Sequence, residues 1–288
     1  MKQTYKLFQI DAFTEIPFQG NPAAVTFAQG IPKEKMQLIA KEMNLSETAF
    51  ISASDSADYK LQWMTPKLEV NLCGHATIAS LHYLNELGKI NNRPRITFET
   101  LSGILKCPVR DNTYFMEIPQ MKMDNFEGER DDLIDALGID KNAIAKKFPF
   151  TLLQNGYLYI YSESLEALKN MQPDFDLIST LSMKYDFRDI CVFTLETYDK
   201  NSFAHSRFFA PIDGINEDPV TGSSNGPLLL VLKRLGLIED TGNDIEKTFE
   251  QGDIIGRPGR IKVFYSQKNN ELYIGGKAVT IFKGDLII

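Results

Sequence analysis

The sequence predicts an α+β protein of two similar domains, each with strands arranged around one central buried helix. Three observations predict it. A chain of 288 residues is about two domains long at the usual ~150 residues each. The chain also repeats itself. Leu72-Cys73-Gly74-His75 opens a stretch with Leu81, Leu84, Leu87 and Gly88, and Val220-Thr221-Gly222-Ser223 opens one with Leu229, Leu232, Leu235 and Gly236. Counted from Gly74 and from Gly222, the leucines fall at offsets 7, 10 and 13 and the glycine at 14 in both copies. Glu69 and Glu217 each stand five residues before their glycine, and Pro66 and Pro211 lie a little further upstream. Thr97-Phe98-Glu99 is echoed by Thr248-Phe249-Glu250, and Gly103-Ile104-Leu105-Lys106 by Gly259-Arg260-Ile261-Lys262. A period near half the chain means a duplicated domain, not a solenoid of short units. Third, Ala76 to Leu87 and Pro227 to Leu235 are apolar on nearly every face, the pattern of a buried helix.

In chain order, Phe8 to Phe13 and Ala23 to Phe27 read as strands joined by the turn signal Phe18-Gln19-Gly20-Asn21-Pro22. The start, Met1 to Ala12, alternates like a strand. A helix follows, with Pro32 at its first position and Met36, Ile39, Ala40 and Met43 at helical spacing. Leu45 to Ile51 leaves that helix for a strand and places Glu47 at the junction. Tyr59, Leu61 and Trp63 alternate in the next strand, and after Pro66 the chain loops to Gly74 and the first buried helix. Residues 119–150 carry Pro119, an acidic cluster from Glu127 to Asp132 and a short helix around Leu133 to Leu137, and read as a domain connection. The domains are therefore set at 1–118 plus 279–288 and at 119–278. The closing strand-like run suits either domain, and it is assigned to the first.

Hydrophobic content of 43% and charged content of 24% are those of a globular protein. A net charge of −7, with no Lys/Arg run against it, excludes the basic footprint that nucleic acid or an anionic membrane needs. No apolar run approaches the ~18 residues of a membrane span, and the start lacks the apolar core and cleavage site of a signal peptide. Cys73, Cys107 and Cys191 form no disulfide pattern. A cytoplasmic location is the expectation.

The two glycine turns carry chemistry as well as symmetry. A helix N-terminus has unpaired N–H groups and a positive partial charge, so it receives carboxylate or phosphate, and glycine lets the ligand approach. Two such ends, starting near His75 and Ser223, suggest a site between the halves. The residue before each glycine, Cys73 or Thr221, has a proton to exchange, and a thiol at a helix start has a lowered pKa. Each residue also has a purely structural reading. The glycines serve tight turns, Cys73 fills a small space, Glu47 is a solvated strand-edge carboxylate, Asp218 caps before Pro219, Ser223 is an N-cap and His75 a satisfied helix-start histidine.

Phe18-Gln19-Gly20-Asn21-Pro22, Asn44-Leu45-Ser46-Glu47-Thr48, Cys73-Gly74-His75-Ala76-Thr77 and Glu217-Asp218-Pro219-Val220-Thr221-Gly222-Ser223 together resemble the PhzF-like isomerases of phenazine biosynthesis, in family order and across nearly the whole chain. The resemblance implies the diaminopimelate epimerase-like fold: two similar domains, each a mixed, barrel-like sheet around a central helix, related by pseudo-two-fold symmetry, with the active site between them. It implies an isomerase without a cofactor, with Glu47 as the general acid/base moving a proton between carbons of a small carboxylate substrate. His75 and Asp218 assist. Ser223 and the backbone at Gly74 and Gly222, flanked by Cys73 and Thr221, hold or polarise the substrate. Dimers are frequent in that family, so a homodimer is an expectation. Desolvation that raises a carboxylate's pKa, and helix ends that stabilise an enolate-like charge, make the scheme coherent.

The fold's racemases use two facing cysteines. Here the pair is Cys73 and Thr221, and a threonine hydroxyl is too weak an acid to match a thiol. One-sided transfer by Glu47 is expected, with a one-thiol racemase or dehydratase using Cys73, or a non-catalytic binding protein that keeps the fold, as the alternatives. The only histidines are His75, His82 and His205, with no paired ligand spacing, so no zinc site is expected. No phosphate loop occurs. Ser223, His75 and Asp218 form a nominal triad set without a nucleophile elbow. Phe18, Trp63 and Phe209 are candidate aromatics at the site, with core packing as their other reading.

Overall fold

The computed structural model describes residues 3–90 and 93–288, so Met1 and Lys2 of the expected first strand lie outside the described residues. The chain forms two compact units, Met1–Glu117 with Tyr273–Ile288, and Ile118–Leu272.

In the first unit β1 (Thr4–Ala12) runs antiparallel to β2 (Asn21–Phe27). The turn between them needs glycine. Gly20 has φ +63°, and a Cβ there would lie 2.1 Å from the Ala12 carbonyl oxygen. Helix α1 (Lys33–Met43) crosses over to β3 (Glu47–Ser52), parallel to β2. Pro32 is the N-cap of α1 and not its first helical residue, because its backbone is extended at ψ 151°. Strands β4 (Tyr59–Met64) and β5 (Glu69–Val70) follow antiparallel, and α2 (Gly74–Glu86) leads to β6 (Arg95–Thr100), parallel to β4. Strands β7 (Gly103–Arg110) and β8 (Thr113–Ile118) complete this run as hairpins.

The second unit opens with β9 (Met123–Asn125), α3 (Arg130–Leu137), β10 (Thr151–Leu153) and β11 (Tyr157–Tyr161). Residues 119–150 are thus structured: Leu133, Ile134, Ala136 and Leu137 of α3 are buried in a core of this unit. Helices α4 (Leu165–Asn170) and α5 (Phe175–Tyr185) then cross over to β12 (Asp189–Thr194), which is parallel to β11. Strands β13 (Ala204–Ala210) and β14 (Ile215–Asp218) are antiparallel to their predecessors. Helix α6 (Gly222–Arg234) leads to β15 (Ile245–Gln251), parallel to β13, and β16 (Gly259–Ser266) returns antiparallel. After β17 (Glu271–Gly276), β18 (Ala278–Ile287) pairs with β1.

The two units share one topology. Strands β2 to β7 correspond to β11 to β16, and α2 corresponds to α6. The registers agree as well: Ala49 faces Trp63 where Cys191 faces Phe208, and Tyr59 pairs with Phe98 where Ala204 pairs with Phe249. Each central helix is buried as its sequence requires. Ten residues of α2, from Gly74 to Leu84, are buried, and α2 packs on β1, β2, β3 and β18. Leu228, Leu229, Val231 and Leu232 of α6 are fully buried, and that helix packs on β11 and β16. Each such side chain contributes about 1.5–3 kcal/mol by leaving water. Among the described residues no helix is long and apolar enough to cross a membrane.

Candidate active site

In each unit the turn before the central helix is held by the glutamate five residues ahead of its glycine. Glu69 accepts a hydrogen bond from Gln62 Nε2 at 3.0 Å and pairs with Lys33. Glu217 accepts from Arg207 Nε at 2.8 Å and Nη2 at 2.7 Å. Gln62 and Arg207 occupy the same position of corresponding strands. The later glutamates, Glu99 and Glu250, hold loops: Glu99 accepts from Ser54 and Ser56, and Glu250 from the backbone N–H groups of Tyr198 and Asp199.

In the first unit three of the expected residues converge. Asn44, left-handed at φ 51°, ends α1 and turns the chain so that Glu47 begins β3. Its Oε2 lies 3.2 Å from His75 Nε2, and the other ring nitrogen, Nδ1, lies 3.6 Å from Cys73 Sγ. A thiol, an imidazole and a carboxylate therefore stand in line at the start of α2. His75 is 6% exposed, and burial holds its pKa below the ordinary histidine value although Glu47 pulls the other way. The imidazole is neutral at pH 7. Cys73 is the N-cap of α2 without a side-chain cap, and the first turn holds no acidic residue, so the positive end that Gly74 opens is unscreened by side chains of its own helix.

In the second unit Asp218, Thr221, Gly222 and Ser223 are gathered on one turn. Thr221, not Ser223, is the N-cap of α6, and Ser223 lies within the helix. The Thr221 hydroxyl donates to Asp218 Oδ2 at 2.5 Å. Its proton is thus directed to Asp218. Gln251, absent from the sequence-based candidates, organises the turn. Its Oε1 accepts from the Thr221 N–H at 3.0 Å and from Asn225 Nδ2 at 2.7 Å, while its Nε2 donates to the Asp218 carbonyl at 2.7 Å and to Thr221 Oγ1 at 3.1 Å. The backbone donor and acceptor fix the orientation of that amide. Tyr157, also missed, places its hydroxyl 3.4 Å from Ser223 Oγ. Gln251 directly follows the repeated Thr248-Phe249-Glu250, which was the available signal for it; Tyr157 had none. Trp63 and Phe209 are core residues, 1% and 0% exposed, and Phe18 is 71% exposed.

Among the described residues, two groups of ligand-type atoms each lie within 4.8 Å of one another, Glu47, Cys73 and His75 in one unit and His205, Glu250 and Asp253 in the other. Strand pairing assembles them, which sequence spacing does not show. In the first, Cys73 and Glu47 approach opposite nitrogens of one ring, a geometry for proton transfer more than for a shared metal ion. In the second, Arg260 already sits 3.0 Å from Asp253 Oδ1 and 3.5 Å from Glu250 Oε2, supplying a cation.

The chain is 37% identical to an uncharacterized isomerase of Clostridium acetobutylicum over 100% of both proteins, and 32% identical to the uncharacterized isomerase YfhB of Bacillus subtilis over 98% of each. Among solved structures, a PhzF-family phenazine biosynthesis protein of Bacillus anthracis superposes with a TM-score of 0.91 at 28% identity, covering 99% of this chain and 100% of that one. A hydroxyproline epimerase from Agrobacterium vitis, at 13% identity and TM-score 0.64, shares the fold. The protein is an isomerase with an epimerase-like fold. Residues 10–284 match the family model described as phenazine biosynthesis-like protein, and the chain belongs to that family.

Proposed function

We propose that this isomerase shifts a proton between carbons of a small carboxylate substrate, without a cofactor, and that Glu47 is its general acid/base. The observation that carries the reading is the 3.2 Å approach of the Glu47 carboxylate to a buried, neutral His75 at an uncapped helix start. Glu47 takes the proton, His75 orients the carboxylate and polarises the developing charge, and the Gly74 backbone end stabilises it. Asp218, oriented by Thr221, is the assisting carboxyl of this reading, and Gly222 and Ser223 are its further substrate-binding residues.

The test is incubation of a panel of unsaturated and hydroxy carboxylates in deuterated water with no added cofactor. Glu47-dependent deuterium uptake is expected, falling about a hundredfold or more in Glu47→Gln. Uptake by Glu47→Gln at the wild-type rate would sink the assignment.

A second reading rests on the 3.6 Å contact between Cys73 Sγ and His75 Nδ1. It makes Cys73 a thiol acid/base with His75 as its partner. Cys73→Ala separates the two: activity survives it on the carboxylate reading and disappears, with the fold intact, on the thiol reading.

A further inference from the structure

The shared topology gives Glu47 a counterpart in the second unit, at the start of α6. Ala49 faces Trp63 where Cys191 faces Phe208, so Glu47 and Asp189, each two residues earlier on the same strand face, are equivalent. Each begins its strand and pairs with the parallel strand before it, Glu47 with Ala23 and Asp189 with Tyr157. The Tyr157 hydroxyl lies 3.4 Å from Ser223 Oγ, and Tyr159, next on the same face, donates to the Ser224 carbonyl at 2.8 Å. Asp189 therefore stands on the face that lies against the first turn of α6.

The two copies have diverged in what they offer there. In the first unit Glu47 is matched by the His75 imidazole at 3.2 Å. In the second the counterpart of His75 is Ser223, and Asp189 has no such match. It is 1% exposed, and its Oδ1 has no hydrogen-bond partner among the described residues. Its Oδ2 lies 3.7 Å from Arg188 Nε, but Arg188 donates through Nε and Nη2 to Asp213 at 3.0 and 2.7 Å. A buried carboxyl with an unused oxygen is costly unless a ligand meets it. The groups beside it at the helix start are donors. They are the half-buried hydroxyls of Tyr157 and Ser223 and the N–H groups of Gly222 and Ser223, which precede the first bonds of α6, those from Ser224 and Asn225 to the Thr221 carbonyl.

Resting on the reading of Gly222 and Ser223 as substrate-binding residues, we propose that Asp189 is a further specificity-determining residue, which donates its carboxyl proton in a hydrogen bond to a ligand carboxylate held at the start of α6. Every group of this subsite belongs to the second unit. The ligand carboxylate accepts from the Gly222 and Ser223 N–H groups, from the Ser223 hydroxyl and from Asp189, and Tyr157 flanks it from β11. A site made of donors selects a carboxylate over an ammonium group, and the positive helix end favours the same choice. The surroundings of Asp189 keep its proton in place. Burial, then the Asp213 charge, raise its pKa to about 8 against the opposing Arg188, and the Asp218 charge adds to the rise. The other titratable groups on that face also stay protonated: burial pushes the Cys191 thiol up to about 12 and holds the Tyr157 and Tyr159 phenols above their ordinary range. Above pH 8 Asp189 becomes a carboxylate itself, and the subsite then repels anions.

Binding of acetate to the whole protein tests this without any turnover. In protein labelled with carboxyl-13C aspartate, the resonance absent from Asp189→Asn should titrate near pH 8, and saturation with acetate should move that midpoint upward. Acetate affinity should be level around pH 7 and fall about tenfold per pH unit above 8. Asp189→Asn keeps a donor in place of the proton, so it should bind acetate at pH 7 much as the wild type does and hold that affinity as pH rises. Asp189→Leu has a similar shape and no donor, and should bind about ten- to a hundredfold more weakly. Titration of Asp189 in the ordinary carboxylate range, or a midpoint that acetate lowers or leaves in place, overturns the proposal. Tighter binding of methylammonium than of acetate also overturns it, because Asp189 would then be an acceptor for a cation. A Ser223→Ala variant that binds acetate as the wild type does, with the Asp189 midpoint still moving upward, removes the Ser223 reading and leaves the Asp189 donor standing. If Asp189→Leu does not fold, the pH profiles of the wild type and Asp189→Asn decide the matter, and identical profiles count against Asp189.

Discussion

At the scale of single residues, the second unit has turned the position of the Cys73 thiol into a fixed hydrogen-bond donor. Thr221 accepts from Gln251 Nε2, so its own proton is directed to Asp218 Oδ2. That oxygen is therefore held by the Thr221 hydroxyl. The first unit has no such device, since the counterparts of Asp218 and Gln251 are Val70 and Thr100, and Thr100 bonds the Gly103 carbonyl instead. The carboxylate and its clamp thus occur together in one copy and are missing together from the other. Thr221→Val removes the donor at nearly constant volume, whereas Thr221→Ser keeps it. A hydrogen bond to a charged group is worth about 1.5–3 kcal/mol, so Thr221→Val should lower turnover roughly ten- to hundredfold while Thr221→Ser stays near the wild type. Equal turnover in the two variants, at equal thermal stability, would show that the Thr221 proton does not orient a working Asp218.

At the scale of elements, the central helices α2 and α6 were legible because their glycines, leucine offsets and all-round apolarity agree, and so was the grouping of Cys73, Gly74 and His75 with Glu47 through motif resemblance. The equivalence of Glu47 and Asp189 was not legible. Glu47 precedes its glycine by 27 residues and Asp189 by 33, because the loop after β12 is longer than the loop after β3, and the strands after them are spaced differently. Only hydrogen-bond register aligns the two. Nor could the sequence choose a partner for the last strand, since a half-buried alternating run suits either edge; nine residues of β18 pair with β1. The link between β15 and β16 was also hidden, although it supports the site. Gly252 has φ +89°, and a Cβ there would lie 2.2 Å from the Arg257 carbonyl oxygen and 2.6 Å from that of Pro219, the residue after Asp218. Gly242 has φ +75° with open space around it. Both alanine variants incur the left-handed backbone penalty of about 1–2 kcal/mol, but only Gly252→Ala also pushes on the Asp218 turn. Gly252→Ala should therefore lose roughly 2 kcal/mol more stability than Gly242→Ala, together with deuterium uptake. Matching denaturation midpoints for the two would contradict the close approach.

At the scale of the whole molecule, the buried ionisable groups make opposite demands on pH. Burial lowers the pKa of His75 and of His82 in the folded state, so both favour folding above the unfolded value of about 6.5 and withdraw that support as pH falls below it. Asp189 works in the other direction. Its folded pKa of about 8 exceeds the ordinary aspartate value of 3.8, so its contribution is fully present below pH 3.8 and is lost as pH rises through 8. Between roughly pH 4 and 6.5 the two trends oppose each other, and the wild-type stability profile should be shallow there. Asp189→Asn keeps the shape of the side chain and removes its titration. The variant should be more stable than the wild type at pH 8 to 9, and the difference should shrink steadily toward pH 4, where both carboxamide and carboxyl are neutral. Its own profile should fall more steeply on acidification than that of the wild type, because the histidines then act without a counterweight. Chemical denaturation of both proteins at unit steps from pH 4 to 9 measures this directly, and a difference that stays constant with pH would mean that Asp189 is ionised in the folded protein throughout.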